Sequence, residues 1–158
     1  SMGEVAGMTG ITPRVGSAAM ALVTAATEAR HECIGFTGHG QVTQLDISAS
    51  MRLDDVVRRI SNLPFGATDC AIPMLYALQE NREVDVFVVY TDNETWEGSV
   101  HPAIALRKYR ETTGIPAKLI VVGMTATEFS IADPADSGML DVAGFDTSAP
   151  SVMADFAR

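Results

Sequence analysis

Two short, nearly continuous apolar runs constrain the fold of this chain more than any other feature. They are Val84–Thr91 (VDVFVVYT) and Lys118–Gly123 (KLIVVG). Apolar runs of this length, without polar alternation, are typical of strands that are buried on both faces of a parallel sheet. Between the two runs, Pro102 and Gly114 mark the expected start and end of a helix. The order strand, helix, strand therefore predicts an α/β fold with a mostly parallel sheet.

The rest of the chain continues this alternation. Thr12 and Ser50 are expected to cap two further helices, and Pro13 fits the first helical position. A doubly wound, three-layer sheet usually begins with its central strand, whereas this chain opens on a loop and a helix. We therefore expect the first central strand to lie upstream of Ser1. The pattern predicts helices over 13–30, 51–62, 69–81 and 150–157, and an edge hairpin with strands over 31–37 and 42–45.

Composition sets bounds on the kind of domain this is. With 158 residues, the chain is predicted to be a single domain that buries a core without needing a disulfide or a structural metal. Its formal net charge of −9 argues against extensive non-specific binding to the phosphates of nucleic acid. Cys33 and Cys70 lie in apolar surroundings, so we expect buried thiols in a reducing compartment. No apolar run reaches the ~20 residues that span a bilayer. These features favour a cytoplasmic domain that does not cross a membrane.

Polar residues follow the strands at the positions where α/β sheets bind ligands. Asp92 comes directly after Val84–Thr91, and Thr68 lies in a loop that enters a helix. Hydroxyl and carboxylate oxygens are hard ligands that suit Mg²⁺, Mn²⁺ or Ca²⁺. Taken alone, Asp92 is more often a turn or capping residue, so the pattern leaves a structural role and a metal site both open.

Catalytic signatures are missing from the sequence. There is no Gly-x-Ser-x-Gly elbow, Walker A loop or Gly-x-Gly-x-x-Gly loop. A metal-dependent enzyme would have to use Asp92, Glu94 and His101, but it would also need a base positioned by a third group. A histidine that enters a helix, as His101 does, more often has a structural role. Trp96 follows Asp92 closely and either covers a site or packs the loop. The sequence therefore predicts a binding module and not an enzyme.

Three long strings carry a family resemblance: LPFGATDCAIPMLYAL, VDVFVVYTDNETWEGSVHPAIALRKYRETTGIPAKLIVVGM and IADPADSGMLDVAGFDT. They resemble the von Willebrand factor A domain at the C-terminal end of the Ro autoantigen proteins, the RNA-binding TROVE family. The resemblance covers essentially all of residues 1–158 and is strongest over 63–147. It implies a Rossmann-like von Willebrand A fold that is truncated at its N-terminus. It also implies that the RNA-binding helical-repeat module lies outside this chain.

The resemblance also implies a metal-ion-dependent adhesion site (MIDAS) built from three loops. Thr68 would be the threonine of the second loop and Asp92 the aspartate of the third. Ser1 would be the last serine of the first-loop Asp-x-Ser-x-Ser motif. The residues Asp46, Ser48 and Ser50 also spell that motif, but they lie too close to Thr68 in the chain, so we interpret them as a polar loop far from the site. With the upstream aspartate missing, we expect Mg²⁺, the preferred ion, to bind far more weakly than in an intact domain.

In function, the resemblance implies a binding and architectural domain of a protein that takes part in noncoding RNA binding and quality control. The RNA, Y-type or misfolded, would bind mainly to the helical-repeat module, and the metal-site face would be available to a protein partner. The acidic charge balance agrees with RNA affinity lying elsewhere. Two alternatives stay open: a free-standing protein-interaction domain with an inactive metal site, and a metal-dependent enzyme.

Overall fold

A computed structural model describes residues 13–28, 30–36, 42–61, 70–91, 100–123, 132–133, 135–143 and 149–158. None of the helices in these ranges is long and apolar enough to cross a membrane. Helices and strands alternate as the sequence predicts. In chain order the elements are α1 (Pro13–Thr27), β1 (Cys33–Phe36), β2 (Val42–Leu45), α2 (Leu53–Ser61), α3 (Ile72–Gln79), β3 (Val86–Thr91), α4 (Pro102–Thr113), β4 (Lys118–Gly123), β5 (Met139–Ala143) and α5 (Ala149–Ala157).

A parallel sheet of three strands, in the order β3-β4-β5, forms the middle of the fold. The central strand is β4, whose residues after Lys118 are all buried. This burial on both faces is what its continuous apolar run predicts. The strand β3 begins at Val86, two residues later than predicted. The strand β5 is not among the strands that the sequence pattern predicts, because Asp141 interrupts its apolar run.

Helices cover both faces of this sheet, so the predicted three-layer architecture is confirmed. Along β4, Leu119 and Val121 point toward α3 and α4, whereas Ile120 and Val122 point toward α1 and α5. We call the first side the main core. Its buried residues are Cys70, Ala71, Met74, Ala77, Phe87, Val89, Ala103, Ala105, Leu106, Tyr109, Ala117, Leu119, Val121 and Met139.

The strands β1 and β2 form the predicted antiparallel hairpin, but it is a separate sheet, and its predicted place at the edge of the parallel sheet is not shown. A third cluster joins the hairpin to α1 and α2 around Ala18, Ile47 and Val56. No strand pairing within the described ranges joins the hairpin to the parallel sheet. The central strand expected upstream of Ser1 stays a prediction.

The ends of the helices follow local chemistry in some places and depart from it in others. Gly114 ends α4 in the left-handed conformation at φ 74°, as predicted, and Asn81 at φ 54° follows α3. The prediction that Ser50 caps the second helix is wrong. The helix α2 begins at Leu53, and the Ser50 Oγ lies 3.0 Å from the Ser48 Oγ. Thr12, the other predicted cap, lies outside the described residues.

Candidate functional site

The carboxyl edge of the parallel sheet is the part of the predicted site that the structure describes. Thr91, Gly123 and Ala143 end the three strands, and the register pairs each with its neighbour. Because the strands are parallel, the loops that follow them leave from the same edge. Asp92 is the residue after Thr91 in the chain, so β3 leads directly into the third loop of the predicted metal site.

All three predicted metal ligands, Ser1, Thr68 and Asp92, lie outside the described residues. Their convergence at the sheet edge therefore stays a prediction. Glu94 and Trp96, which follow Asp92, also lie outside the described ranges. Within those ranges, no three His, Cys, Asp or Glu side chains are grouped so that they could hold a metal ion.

His101 caps the N-terminus of α4. Its backbone is extended, with φ −66° and ψ 140°, and its Nδ1 accepts a hydrogen bond from the Ala103 backbone N at 3.1 Å. A helix leaves its first backbone N–H groups without partners inside the helix, and this bond satisfies one of them. The structural role predicted for His101 is therefore what the geometry shows.

The start of α3 is anchored in the main core. Cys70 and Ala71, which come directly before this helix, are both fully buried. Thr68 lies two positions before Cys70 in the chain, so a fixed structural element follows the second loop of the predicted site. The buried thiol predicted for Cys70 is confirmed.

Cys33 is half-buried at the start of β1, and it forms no disulfide with Cys70. Burial raises the pKa of the Cys33 thiol, and the nearby Glu32 carboxylate raises it further. A thiol with a raised pKa is a poor nucleophile at neutral pH. The prediction of a buried thiol is met only in part at Cys33, which is half-buried.

The Asp46, Ser48 and Ser50 segment forms a polar turn between β2 and α2. Asp46 is exposed, and the Ser48 backbone N lies 3.3 Å from the Met51 Sδ. The two serine hydroxyls hydrogen-bond to each other and are both exposed. This geometry supports the interpretation of the segment as a polar loop. Its predicted separation from Thr68 and Asp92 stays a prediction.

An open cleft of about 490 Å³ lies beside the hairpin, where β1 begins and β2 ends. The Glu32 carboxylate on its wall is fully engaged. Its Oε1 accepts hydrogen bonds from Gln44 Nε2 at 2.6 Å and from the Tyr76 hydroxyl at 3.1 Å, and its Oε2 lies 3.3 Å from Arg82 Nε. This cluster ties the hairpin to α3. Its residues are far apart in the chain, so no local sequence signal could have indicated it.

Two ion pairs attach α4 to the segment before β5. Arg107 pairs with Asp133, and Arg110 Nη1 lies 2.6 Å from Asp136 Oδ2. The hydrogen bonds from Arg110 lower the pKa of the Asp136 carboxyl, with a smaller contribution from the Gly138 backbone N–H. Neither pair was predicted from the sequence, although the two arginines and the two aspartates share a spacing of three residues that could have suggested them.

Comparisons with known proteins agree with this geometry. The family described as "Ro60 vWA domain" matches residues 1–157. The chain is 51% identical over 156 residues to RNA-binding protein RO60 of Deinococcus radiodurans, covering 99% of this chain and 29% of that protein. It is 42% identical over 144 residues to RNA-binding protein RO60 of Caenorhabditis elegans, covering 90% of this chain and 22% of that protein.

A solved structure gives the same result. The crystal structure of Deinococcus radiodurans RO (RSR) protein superposes with a TM-score of 0.91 at 51% identity, covering 99% of this chain and 31% of that one. The chain thus spans less than a third of the length of each of these relatives.

Proposed function

This chain belongs to the Ro60 vWA domain family, and from that premise we propose that it is the binding and architectural domain of a Ro-like RNA-binding protein. The observation that carries the proposal is the family match over residues 1–157, together with relatives that are named RNA-binding proteins. The whole protein, on this proposal, binds noncoding RNA of the Y type or misfolded RNA in the cytoplasm and acts in RNA quality control.

The charge of the chain supports RNA contacts outside this domain. The net charge is −9, with 11 Lys and Arg against 20 Asp and Glu. Several of the cations are already engaged, since Arg58, Arg107 and Arg110 each pair with an aspartate. Affinity for the phosphate backbone depends on clustered, available Lys and Arg side chains. We therefore propose that RNA binds mainly to the part of the protein that this chain does not include.

Filter binding of Y-type RNA at low salt tests whether RNA binds outside this domain. We expect the intact protein to retain the RNA and this chain alone to retain little, with a much shallower dependence on salt because few counterions are released. Circular dichroism of the chain alone establishes that it is folded under the assay conditions. A tight, specific complex with the chain alone would place RNA recognition in this domain and contradict the proposal.

We further propose that Ser1, Thr68 and Asp92 bind a divalent cation, preferably Mg²⁺. The donor chemistry supports this, because hydroxyl and carboxylate oxygens are the ligands that Mg²⁺ selects. The described neighbours also support it, since Asp92 follows the end of β3 and Thr68 precedes the buried start of α3. A bound cation supplies a centre of positive charge to which an oxygen atom of a protein partner can bind.

Calorimetric titration of the intact protein with Mg²⁺ tests this site. We expect Asp92→Asn and Thr68→Ala each to weaken binding by roughly tenfold or more, since even the loss of an outer-shell partner has an effect of that size. Asp46→Asn is the matched control, because Asp46 belongs to the polar turn, and its affinity should match the wild type. Unchanged affinity in Asp92→Asn, or an equal loss in Asp46→Asn, would reject the proposed ligands.

No observation favours an enzyme as a second candidate. Of the residues that the metal-dependent enzyme would use, His101 is the one the structure describes, and its Nδ1 has a capping role toward Ala103. We therefore propose a non-enzymatic role. The RNA experiment also separates the leading proposal from the other alternative, a free-standing interaction domain. On that alternative, neither the intact protein nor this chain alone would retain RNA.

A further inference from the structure

The side chain of Lys118, the first residue of β4, reaches the end of α5. Its Nζ donates hydrogen bonds to the main-chain oxygens of Phe156 and Arg158, each at 2.7 Å. The same ammonium lies 5.5 Å from the centroid of the Phe156 ring, which is within the range of a cation–π interaction. The helix α5 has no basic residue in its own last turn. Arg158, which directly follows α5, pairs with Asp155 at 3.4 Å. Lys118 adds a second positive charge, from another element, at this helix C-terminus.

The helix α5 shares the second face of the parallel sheet, opposite the main core, with α1, whose Met20 is buried in the same cluster. Met153 is buried against Ile120 and Val122, and Phe156 packs beside them. The outer side of α5 faces solvent, where Val152 is 49% exposed. The helix is thus attached to the rest of the domain along one side only.

The sheet beneath α5 has other contacts that hold its strands together. The ladders from β3 to β4 and from β4 to β5 are continuous, and the main core packs against the opposite face. A helix of nine residues, by contrast, is not stable alone in water, because nucleation is costly and few backbone bonds follow. The helix α5 must therefore dock in order to persist.

We propose that α5 is a detachable cover over part of the second face of the sheet, and that the Lys118 ammonium holds it in place. Opening uncovers the part of Ile120 and Val122 that Met20 of α1 does not cover, while α1, the sheet and the main core stay folded. Such local opening is a recognised property of peripheral elements whose free energy of opening is lower than that of global unfolding. Lys118 lies at the start of β4, at the sheet edge opposite the proposed metal site, so this inference is independent of the proposed function.

Hydrogen–deuterium exchange, followed by mass spectrometry on the intact protein, tests the proposal. Lys118→Met keeps the length of the side chain and removes its charge. We expect exchange of the α5 amides to increase roughly tenfold in this variant, because two charge-assisted hydrogen bonds are lost, while exchange of the β4 amides stays unchanged. Lys118→Arg keeps the charge and should give a smaller increase. Lys108→Met, on the exposed face of α4, is the matched control and should leave α5 exchange unchanged.

Two results would overturn the proposal. Unchanged α5 exchange in Lys118→Met would show that the ammonium does not hold the helix. An equal increase in α5 and β4 would show that the helix and the sheet open as one unit. If Lys118→Met does not fold, the wild-type protein gives the answer through exchange measured in increasing denaturant. We expect α5 amides to exchange independently of low denaturant and β4 amides to depend on it, whereas a shared dependence would reject a detachable helix.

Discussion

Arg110 joins three segments through a single guanidinium group. Its Nε donates to the Ala117 carbonyl oxygen at 2.7 Å, and its two Nη atoms donate to the Asp136 carboxylate. The group passes directly over Gly138, where an added Cβ would lie 2.3 Å from Arg110 Nη2. An alanine at this position would therefore displace the end of the Arg110 side chain, and no left-handed backbone is involved.

The substitution Gly138→Ala should lower the free energy of unfolding by about 1 kcal/mol, because the end of Arg110 can move aside but its charged hydrogen bonds to Asp136 are disturbed. Urea denaturation measures this loss. In an Arg110→Met background the guanidinium is gone, so the same substitution should cost much less. An equal cost in both backgrounds would contradict the steric explanation. Gly114→Ala provides a comparison, because no atom would contact its Cβ and its cost would come from the positive φ alone.

The lowered pKa of Asp136 predicts a stability that depends on pH. A carboxyl whose folded pKa lies below its unfolded value stabilises the fold above the unfolded pKa, and this contribution is lost as the pH falls through the folded pKa. At pH 7, Asp136→Asn should be less stable than the wild type by roughly 1–3 kcal/mol, since two hydrogen bonds from a charged partner are weakened. The difference should vanish below the folded pKa. A difference that stays constant between pH 7 and pH 2.5 in urea denaturation would refute the assignment.

Among the elements, α4 is positioned by contacts at both of its ends. Its first turn is capped by His101. Near its last turn, the buried Tyr109 hydroxyl donates to the Arg82 carbonyl oxygen at 2.6 Å and accepts from the Val84 backbone N at 2.7 Å. The Tyr109 ring meets Phe87 edge to face, with centroids 5.0 Å apart. These contacts fasten α4 to the turn that leads into β3.

Tyr109→Phe keeps the aromatic contact and removes the hydroxyl. The Arg82 carbonyl oxygen and the Val84 N–H would each lose this partner, so the free energy of unfolding should fall by about 1–3 kcal/mol. Tyr76→Phe is the matched control, because its hydroxyl lies in an exposed cluster where water can replace it. Thermal unfolding should therefore show a larger loss for Tyr109→Phe. Equal losses for the two variants would mean that the Tyr109 hydroxyl makes no special contribution.

At the scale of the whole molecule, the apolar core is unevenly distributed. The main core, between α3, α4 and the parallel sheet, contains most of the fully buried side chains in the described ranges. The cluster under α1 and α2 is buried only around Ala18, Ile47 and Val56, and its other members are half-exposed. Because burial of apolar surface is the dominant stabilising term, the main core is expected to hold most of the stability of the domain.

The candidate site could be inferred from the sequence only in part. The continuous apolar run that ends at Thr91 indicates that Asp92 follows the end of a strand. This inference needs only the neighbouring residues of the chain. The resemblance to a known family added Thr68 and Ser1, which no periodicity indicates. The Glu32 cluster and the contacts of Arg110 were not predicted, because they join residues that only the folded chain brings together.

By itself, the sequence determined those elements whose signals are local. The bounds of α4 and β4 match the prediction because a proline, a glycine and an unbroken apolar run act through their immediate neighbours. Tertiary structure decided the rest. The strand β5 tolerates Asp141 because its carboxylate accepts a hydrogen bond from the Ala132 backbone N at 2.9 Å, which offsets the cost of a charge within a strand. Ser50 does not cap α2. Its hydroxyl hydrogen-bonds to the Ser48 hydroxyl, and the helix begins at Leu53.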